Sequence, residues 1–341
     1  MSNKLKICLI GCGRIALSHL NGAKQGQHVE IVALVDTKLE QAQSYAEKYG
    51  IACAAATVEE AAQLCEFDAA DICLPNFLHK EMALRCIALG KHVLVEKPLA
   101  NTVADCREIV EAAKAKGVTL MTGQSRRYYP AVLASKPAAG KVHNISAELY
   151  GFLAAPPTPW WKSAESTGGL MIPLWGNHIF DYILWMFDEL PETIYCVSQR
   201  LNPIWEGEDE VMVIMTFSEG RCANVRMSWN THLNDDSWNG EGKILSSKDI
   251  HYQRLVLGEN GTFILQDETT LLNNGRPIVE DKDEISNFSR ELDEFALSIA
   301  ENRAPLTDGV IGLNNVLLQE ACLKSAAEGR IVRLEEGCRY V

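Results

Sequence analysis

The sequence predicts an α/β fold whose first third is a doubly wound dinucleotide-binding unit. Three observations predict it. Apolar runs of strand length alternate with helix-period segments from the N-terminus to about Gly123. The first run ends in "GCGRIA", a glycine turn that opens a helix. The chain, at 341 residues, is long enough for two domains, each with its own core.

The elements follow in order. The strands "KICLIG", "EIVALVD", "ADICLP", "HVLVE" and "VTLMTG" are near-continuous apolar runs, as a parallel sheet covered on both faces requires. The helices between them carry matching ends. Thr57 with Glu60 and Thr102 with Asp105 form capping-box patterns, and Gly50, Gly90 and Gly117 stand where helices should stop. Within "GCGRIA", Gly11 permits the tight turn, Gly13 lets the backbone approach a pyrophosphate, and Ala16 keeps the helix close to the strand. The helix N-terminus then offers unpaired N–H groups to the phosphates. Arg14 and Ile15 lie in this turn and join the candidate cofactor contacts. The second strand ends in Asp36, which suits the ribose hydroxyls and repels a 2′-phosphate. That selects NAD over NADP, although Lys38 leaves some room for NADP.

Composition narrows the function classes. The chain is 47% hydrophobic and 23% charged, an ordinary globular balance. Its net charge of −13 argues against nucleic acid or an anionic membrane as partner. No apolar run approaches a transmembrane span, and the N-terminus lacks the pattern of a signal peptide. The 11 cysteines are scattered without CxxC pairs, which fits a reducing cytoplasm. His, Cys and carboxylates do not cluster at metal-ligand spacings, so no metal is expected.

Ligands of open α/β sheets bind at the carboxyl ends of the strands. There the sequence places "LPNFLHKEMA" and "VEKPLA". Glu96-Lys97-Pro98, with Pro75-Asn76 and His79 upstream, resembles the glucose–fructose oxidoreductase / inositol dehydrogenase / rhizopine catabolism (Gfo/Idh/MocA) family. The likeness extends over "TGQSRRYYP", "STGGLMIPLWGNHIFD" and "DGVIGLNNVLLQEACLKSAAEG", nearly the whole chain. It implies an N-terminal Rossmann domain, residues 1–123, followed by a C-terminal α/β domain, residues 124–341. The second domain should carry a large, open, mostly antiparallel sheet, with helices at about 284–328 returning towards the first domain. The strand-like stretches "NISAELYGF", "TIYCVSQRL", "EVMVIMTF", "RCANVRMSW", "YQRLVLG" and "GTFILQ" supply such a sheet. The resemblance also implies a homo-oligomer, dimer or tetramer, and a carbohydrate or polyol substrate.

The resemblance makes Lys97 the group that touches the reacting hydroxyl and stabilises the developing alkoxide. Glu96, Pro75, Asn76 and His79 line the cofactor beside it, although Asn76 also suits a helix cap. His178 matches the family's general base, with Asp181 three residues on along the same helix face. Where the family has a further aspartate, this chain has Leu174. By position Gln124, Arg127 and Asn177 reach the substrate, with Arg126 the solvated neighbour. Trp160 and Trp161, in a Pro-rich loop, suit either the apolar face of a pyranose or an anchoring role. "WNTHLNDDSWNGEGK" reads as a substrate-covering loop or an oligomer contact, with His232 solvated. The expected activity is an NAD-dependent dehydrogenase acting on a sugar, glycoside or cyclic polyol. Two alternatives stand beside it: a glycosidase working through transient oxidation and elimination, and a dinucleotide-binding sensor without turnover.

Overall fold

A computed structural model describes residues 4–153, 155–232 and 250–334. It divides into two units, Met1–Tyr128 with Asp283–Leu313, and Tyr129–Lys282 with Asn314–Val341. The loop expected to cover substrate falls largely on 233–249, outside the described residues.

The first unit holds a six-stranded sheet: β1 Leu5–Ile10, β2 Val29–Val35, β3 Cys53–Ala55, β4 Ala69–Ile72, β5 His92–Glu96 and β6 Leu120–Gly123. Its order is β3-β2-β1-β4-β5-β6 and every pairing is parallel. The strand order reverses between β1 and β4, so the ends of these two strands flank the ligand crevice of such a sheet. The crossover helices are α1 Ala16–Gln25, α2 Leu39–Tyr49, α3 Val58–Leu64, α4 His79–Ala88 and α5 Val103–Lys116. Their ends form as the sequence predicts. Thr57 and Thr102 accept the backbone N–H groups of Glu60 and Asp105, and Gly50 and Gly117 adopt left-handed caps. The edge strand β3 is an addition to the strands read from the sequence.

The second unit is built on a nine-stranded sheet. Preceded by α6 Pro130–Ala139, its strands are β7 Val142–Gly151, β8 Thr193–Gln199, β9 Glu210–Thr216, β10 Cys222–Ser228, β11 Ile250–Gly258, β12 Gly261–Gln266, β13 Thr270–Asn273, β14 Arg276–Glu280 and β15 Val332–Arg333. They run in the order β14-β13-β12-β11-β7-β10-β9-β8-β15. Only β7 and β10 pair in parallel; the other ladders are antiparallel, the mixed and mostly antiparallel sheet that was expected. The short helix α7 Ala164–Thr167 and the long α8 Asn177–Phe187 follow β7. Along β8 and β9, buried Ile194, Cys196, Val211, Val213 and Met215 alternate with exposed Tyr195, Val197, Met212 and Ile214. One face is therefore core, and the other presents apolar side chains to solvent.

Two further helices complete the chain, α9 Asn287–Ala300 and α10 Gly309–Glu328. In the first unit α9 packs on α1, so closely that a Cβ on Gly22 would lie 2.9 Å from Phe288 Cβ. The start of α10 lies against β6, where Gly309 and Gly312 make room for Leu120 and Thr122. A methyl group at Gly312 would run into the Thr122 hydroxyl and Leu99 Cβ. Gly312→Ala should therefore lower stability by about 1–3 kcal/mol, the usual cost of overpacking. Thermal unfolding measures it, and an unchanged midpoint would contradict this packing.

Candidate active site

The ends of β1, β2, β4 and β5 place the first group of functional residues. Gly11 has φ +96°, and a Cβ there would lie 2.7 Å from the Cys73 carbonyl oxygen, so only glycine fits. Gly13, Arg14 and Ile15 are exposed, and α1 begins without a side-chain cap. The space beside Gly13 is open, with no heavy atom within 4 Å of a Cβ built there. Open N–H groups above a glycine with free space beside it fit a pyrophosphate. Asp36 stiffens this turn: its carboxylate accepts the Cys12 N–H and the Lys38 N–H, each at 2.8 Å. Two carboxylate oxygens have lone pairs to spare after those bonds, so ribose hydroxyls still find acceptors.

Lys97 follows β5, joined to Pro98 by a cis peptide bond. It is half-buried. Burial drives its ammonium down to about 8, against the Glu96 carboxylate, which favours the charge, while Arg126 adds to the depression. Arg126 is thus a charged neighbour of Lys97 rather than a bystander in solvent. Arg127, expected at a substrate mouth, is buried at 3% exposure, and Gln124 at 1%.

Behind Lys97 lies a group that the sequence reading missed. His19, on the sheet-facing side of α1, has no solvent exposure. Its Nδ1 is 2.8 Å from Asp71 Oδ2 and its Nε2 is 3.1 Å from Glu96 Oε1. Two carboxylate acceptors call for two ring donors, which is the imidazolium. Burial opposes that charge most strongly, but the Asp71 carboxylate and the neighbouring Cys73 together hold His19 well above its ordinary pKa. Glu96 is buried too, yet the His19 hydrogen bond and charge keep its carboxyl below the usual range. The only signal in the sequence was Asp71, a charge inside an apolar strand. His19, Asp71 and Cys73 are also the one trio of potential metal ligands close together among the described residues. Burial and the Asp71 charge push the Cys73 thiol up.

His79 opens α4. It is fully buried, with Nδ1 2.7 Å from the Pro98 carbonyl and Nε2 2.8 Å from the Leu74 carbonyl. The ring thereby spans the backbone that follows β4 and β5, and burial holds it below its ordinary pKa. Asn76, at 3% exposure, begins the short 3-10 turn that precedes α4. Pro75 stays half-buried.

In the second unit the chain runs through a π-helical turn, Ile172–Gly176, into α8. Glu208 holds the entrance, its Oε1 accepting the N–H groups of Leu170 at 3.0 Å and Ile172 at 2.9 Å. Burial raises the Glu208 carboxyl, and those N–H groups oppose the rise. His178 is half-buried on α8. Asp181, one turn on, is buried and accepts from the Asn315 amide at 3.3 Å. Asn177 has no exposure, and Leu174 is packed into the hydrophobic core. Trp161 stacks on Trp229, with ring centroids 5.9 Å apart and planes 8° apart, and Trp175 and Trp205 also pack around Trp229. One face of Trp161 is thereby taken as an anchor inside this unit; Trp160 meets it edge-on and remains half-buried. His232 is exposed but stacks on Phe152 at 3.8 Å.

The open space at Gly13 yields a test. Gly13→Ala should leave thermal stability unchanged while weakening NAD at least about tenfold, since the methyl group takes the place of the close backbone approach. Calorimetric titration with NAD measures it, and undiminished affinity would remove the pyrophosphate from this turn.

The chain is similar to known proteins over most of its length. Residues 5–124 match the family described as "Oxidoreductase family, NAD-binding Rossmann fold", and residues 133–263 match the "GFO/IDH/MocA C-terminal domain". The chain is 29% identical to 1,5-anhydro-D-fructose reductase of Ensifer adhaerens, covering 96% of this chain and 98% of that protein. It is 25% identical to myo-inositol 2-dehydrogenase of Thermotoga maritima, covering 97% and 99%. Aldose-aldose oxidoreductase of Caulobacter crescentus, crystallised with glycerol, superposes with TM-score 0.82 at 26% identity, covering 97% and 100%. No helix of the described residues is long and apolar enough to cross a membrane. The chain belongs to the Gfo/Idh/MocA family of oxidoreductases, with an NAD-binding Rossmann domain.

Proposed function

We propose that this protein is an NAD-dependent dehydrogenase that moves a hydride between a secondary alcohol of a sugar, glycoside or cyclic polyol and the nicotinamide. The observation that carries the reading is Lys97, an ammonium at the end of β5 brought down to about 8 by burial. A group that titrates near cellular pH is suited to acid–base work, and a lysine left in water is not. The relatives named for an anhydro-sugar, an inositol and aldoses support the substrate class. NAD, when bound, supplies the hydride acceptor. Everything else falls to side chains and backbone of this chain. The turn at Gly11 and Gly13 and the start of α1 hold the pyrophosphate, with Arg14 and Ile15 beside it. Asp36 takes the ribose hydroxyls and disfavours a 2′-phosphate. Lys97, protonated, stabilises the alkoxide that develops as the hydride leaves, and His178 takes the hydroxyl proton. Trp160 offers an indole face to the apolar side of a sugar ring.

Mixing the protein and NAD with monosaccharides, inositols and aryl glycosides tests this directly. Steady NADH absorbance with one group is expected. Loss of an aryl aglycone without net NADH would replace the reading with transient oxidation and elimination, and silence with NAD bound would contradict it. Lys97→Ala should lower kcat by about 10²–10⁴-fold with NAD affinity retained, as measured by initial rates and titration. Because Lys97 works as the cation, alcohol oxidation needs its proton. The kcat/KM for oxidation should therefore fall as pH rises through about 8, and a rate that climbs through that range would assign Lys97 the opposite role.

The apolar outer face of the second unit's sheet, with Met212 at 59% and Ile214 at 53% exposure, supports a homo-oligomer formed through that face. Ile214→Lys should reduce the mass found by sedimentation equilibrium, and an unchanged mass would place the contact elsewhere.

A further inference from the structure

We propose that His19 is a positioning residue for Lys97, acting through Glu96. The inference rests on the reading of Lys97 given above and deepens it. Glu96 is bound on both of its oxygens. Oε1 faces His19 Nε2 at 3.1 Å, and Oε2 accepts the Lys97 backbone N–H at 2.9 Å. The carboxylate therefore ties α1 to the very peptide from which the Lys97 side chain emerges. His19 is fixed in turn from the other side, since Asp71 on β4 takes its Nδ1 at 2.8 Å and the Phe288 ring of α9 lies 5.0 Å away. Asp71, His19, Glu96 and the Lys97 peptide thus form one continuous hydrogen-bonded line across β4, α1 and β5.

The charges along that line explain why a histidine stands there. A buried carboxyl takes up a proton unless a cation or several donors hold it ionised. His19 is the cation against Glu96, and Asp71 is the anion that keeps His19 charged. Ionised Glu96 in turn is the influence that favours the charge on Lys97, against burial and against Arg126. The groups facing this line are Asp71 and Cys73 from β4, Lys97 beyond β5, His79 from α4 and Arg126 after β6. His79 lies beside Glu96, but burial keeps it below its ordinary pKa, so it is a poor substitute for His19 as counter-charge. Without His19, Glu96 is expected to take up a proton, and Lys97 then loses the field that sustains its ammonium.

Lysine-selective ¹³C NMR of the whole protein reads this without any substrate, with the Lys97 signal assigned by its absence in Lys97→Arg. In the wild type Lys97 should titrate at about 8. His19→Gln should move that titration down by about one pH unit, Glu96→Gln should move it equally, and the double variant no further than either. Should His19→Gln fail to fold, Asp71→Asn, which removes the charge that sustains the imidazolium, should give a smaller shift in the same direction. An unchanged or raised Lys97 titration in a folded variant overturns the proposal, as does a double variant in which the two shifts add. A shift in a protein that oxidises no carbohydrate would leave His19's hold on Lys97 standing and sink the dehydrogenase reading instead.

Discussion

A carboxylate buried at the end of a parallel strand is the constraint around which the first unit is arranged. Glu96 is 6% exposed, and an ionised carboxyl so far from water costs several kcal/mol unless it is paired and hydrogen-bonded. The fold meets that cost from three directions: the imidazolium of His19 on α1, the peptide N–H of Lys97, and the field of the lysine itself. The same arrangement fixes how α1 lies on the sheet. A helix that must deliver His19 between β4 and β5 cannot slide, and its N-terminus is then held over the glycine turn. The glycine turn and Lys97 are tied to the same helix, since α1 opens just after the turn and carries the His19 that bonds Glu96.

The second unit solves a related problem with carboxylates alone. Glu208 accepts two N–H groups at the entry to the π-helical turn before His178, and Asp209 accepts the N–H groups of Leu201 and Asn202 at 2.8 and 2.7 Å. Glu208 satisfies backbone donors that a helix start leaves unpaired, and Asp209 does the same for the turn after β8. The turn then presents His178 on a rigid helix whose other face is hydrophobic core. Leu174 belongs to that core. The position holds packing here, and the polar partner of α8 is the Asp181–Asn315 pair instead.

Much of this was legible in the sequence. Long apolar runs became strands because burial on both faces demands them, and the glycine turn, Asp36 and Lys97 stand where strand ends must present them. What escaped did so for physical reasons. β3 and β15 have too few residues to show a period, and β14 is mostly exposed, so its composition looks like loop. His19 looks like one polar residue in an amphipathic helix, and its meaning depends on two carboxylates 52 and 77 residues away. The two backbone carbonyls that close on the His79 ring leave no mark in the sequence either. The tryptophan pair divided for the same reason: Trp161 found Trp229 across the unit, and Trp160 did not.

Direct hydride transfer between NAD and a carbinol carbon, with the Lys97 ammonium steadying the alkoxide, is what the proposed function requires. The most direct measurement is isotopic: reduction of a keto-sugar or inosose by the protein with NADH deuterated at C4, followed by mass spectrometry and NMR of the product. The account predicts one deuterium per product molecule, located on the newly formed carbinol carbon and delivered from a single face of the nicotinamide. A reduced product without deuterium, or label lost to solvent, would contradict direct transfer and with it the reading of the whole site.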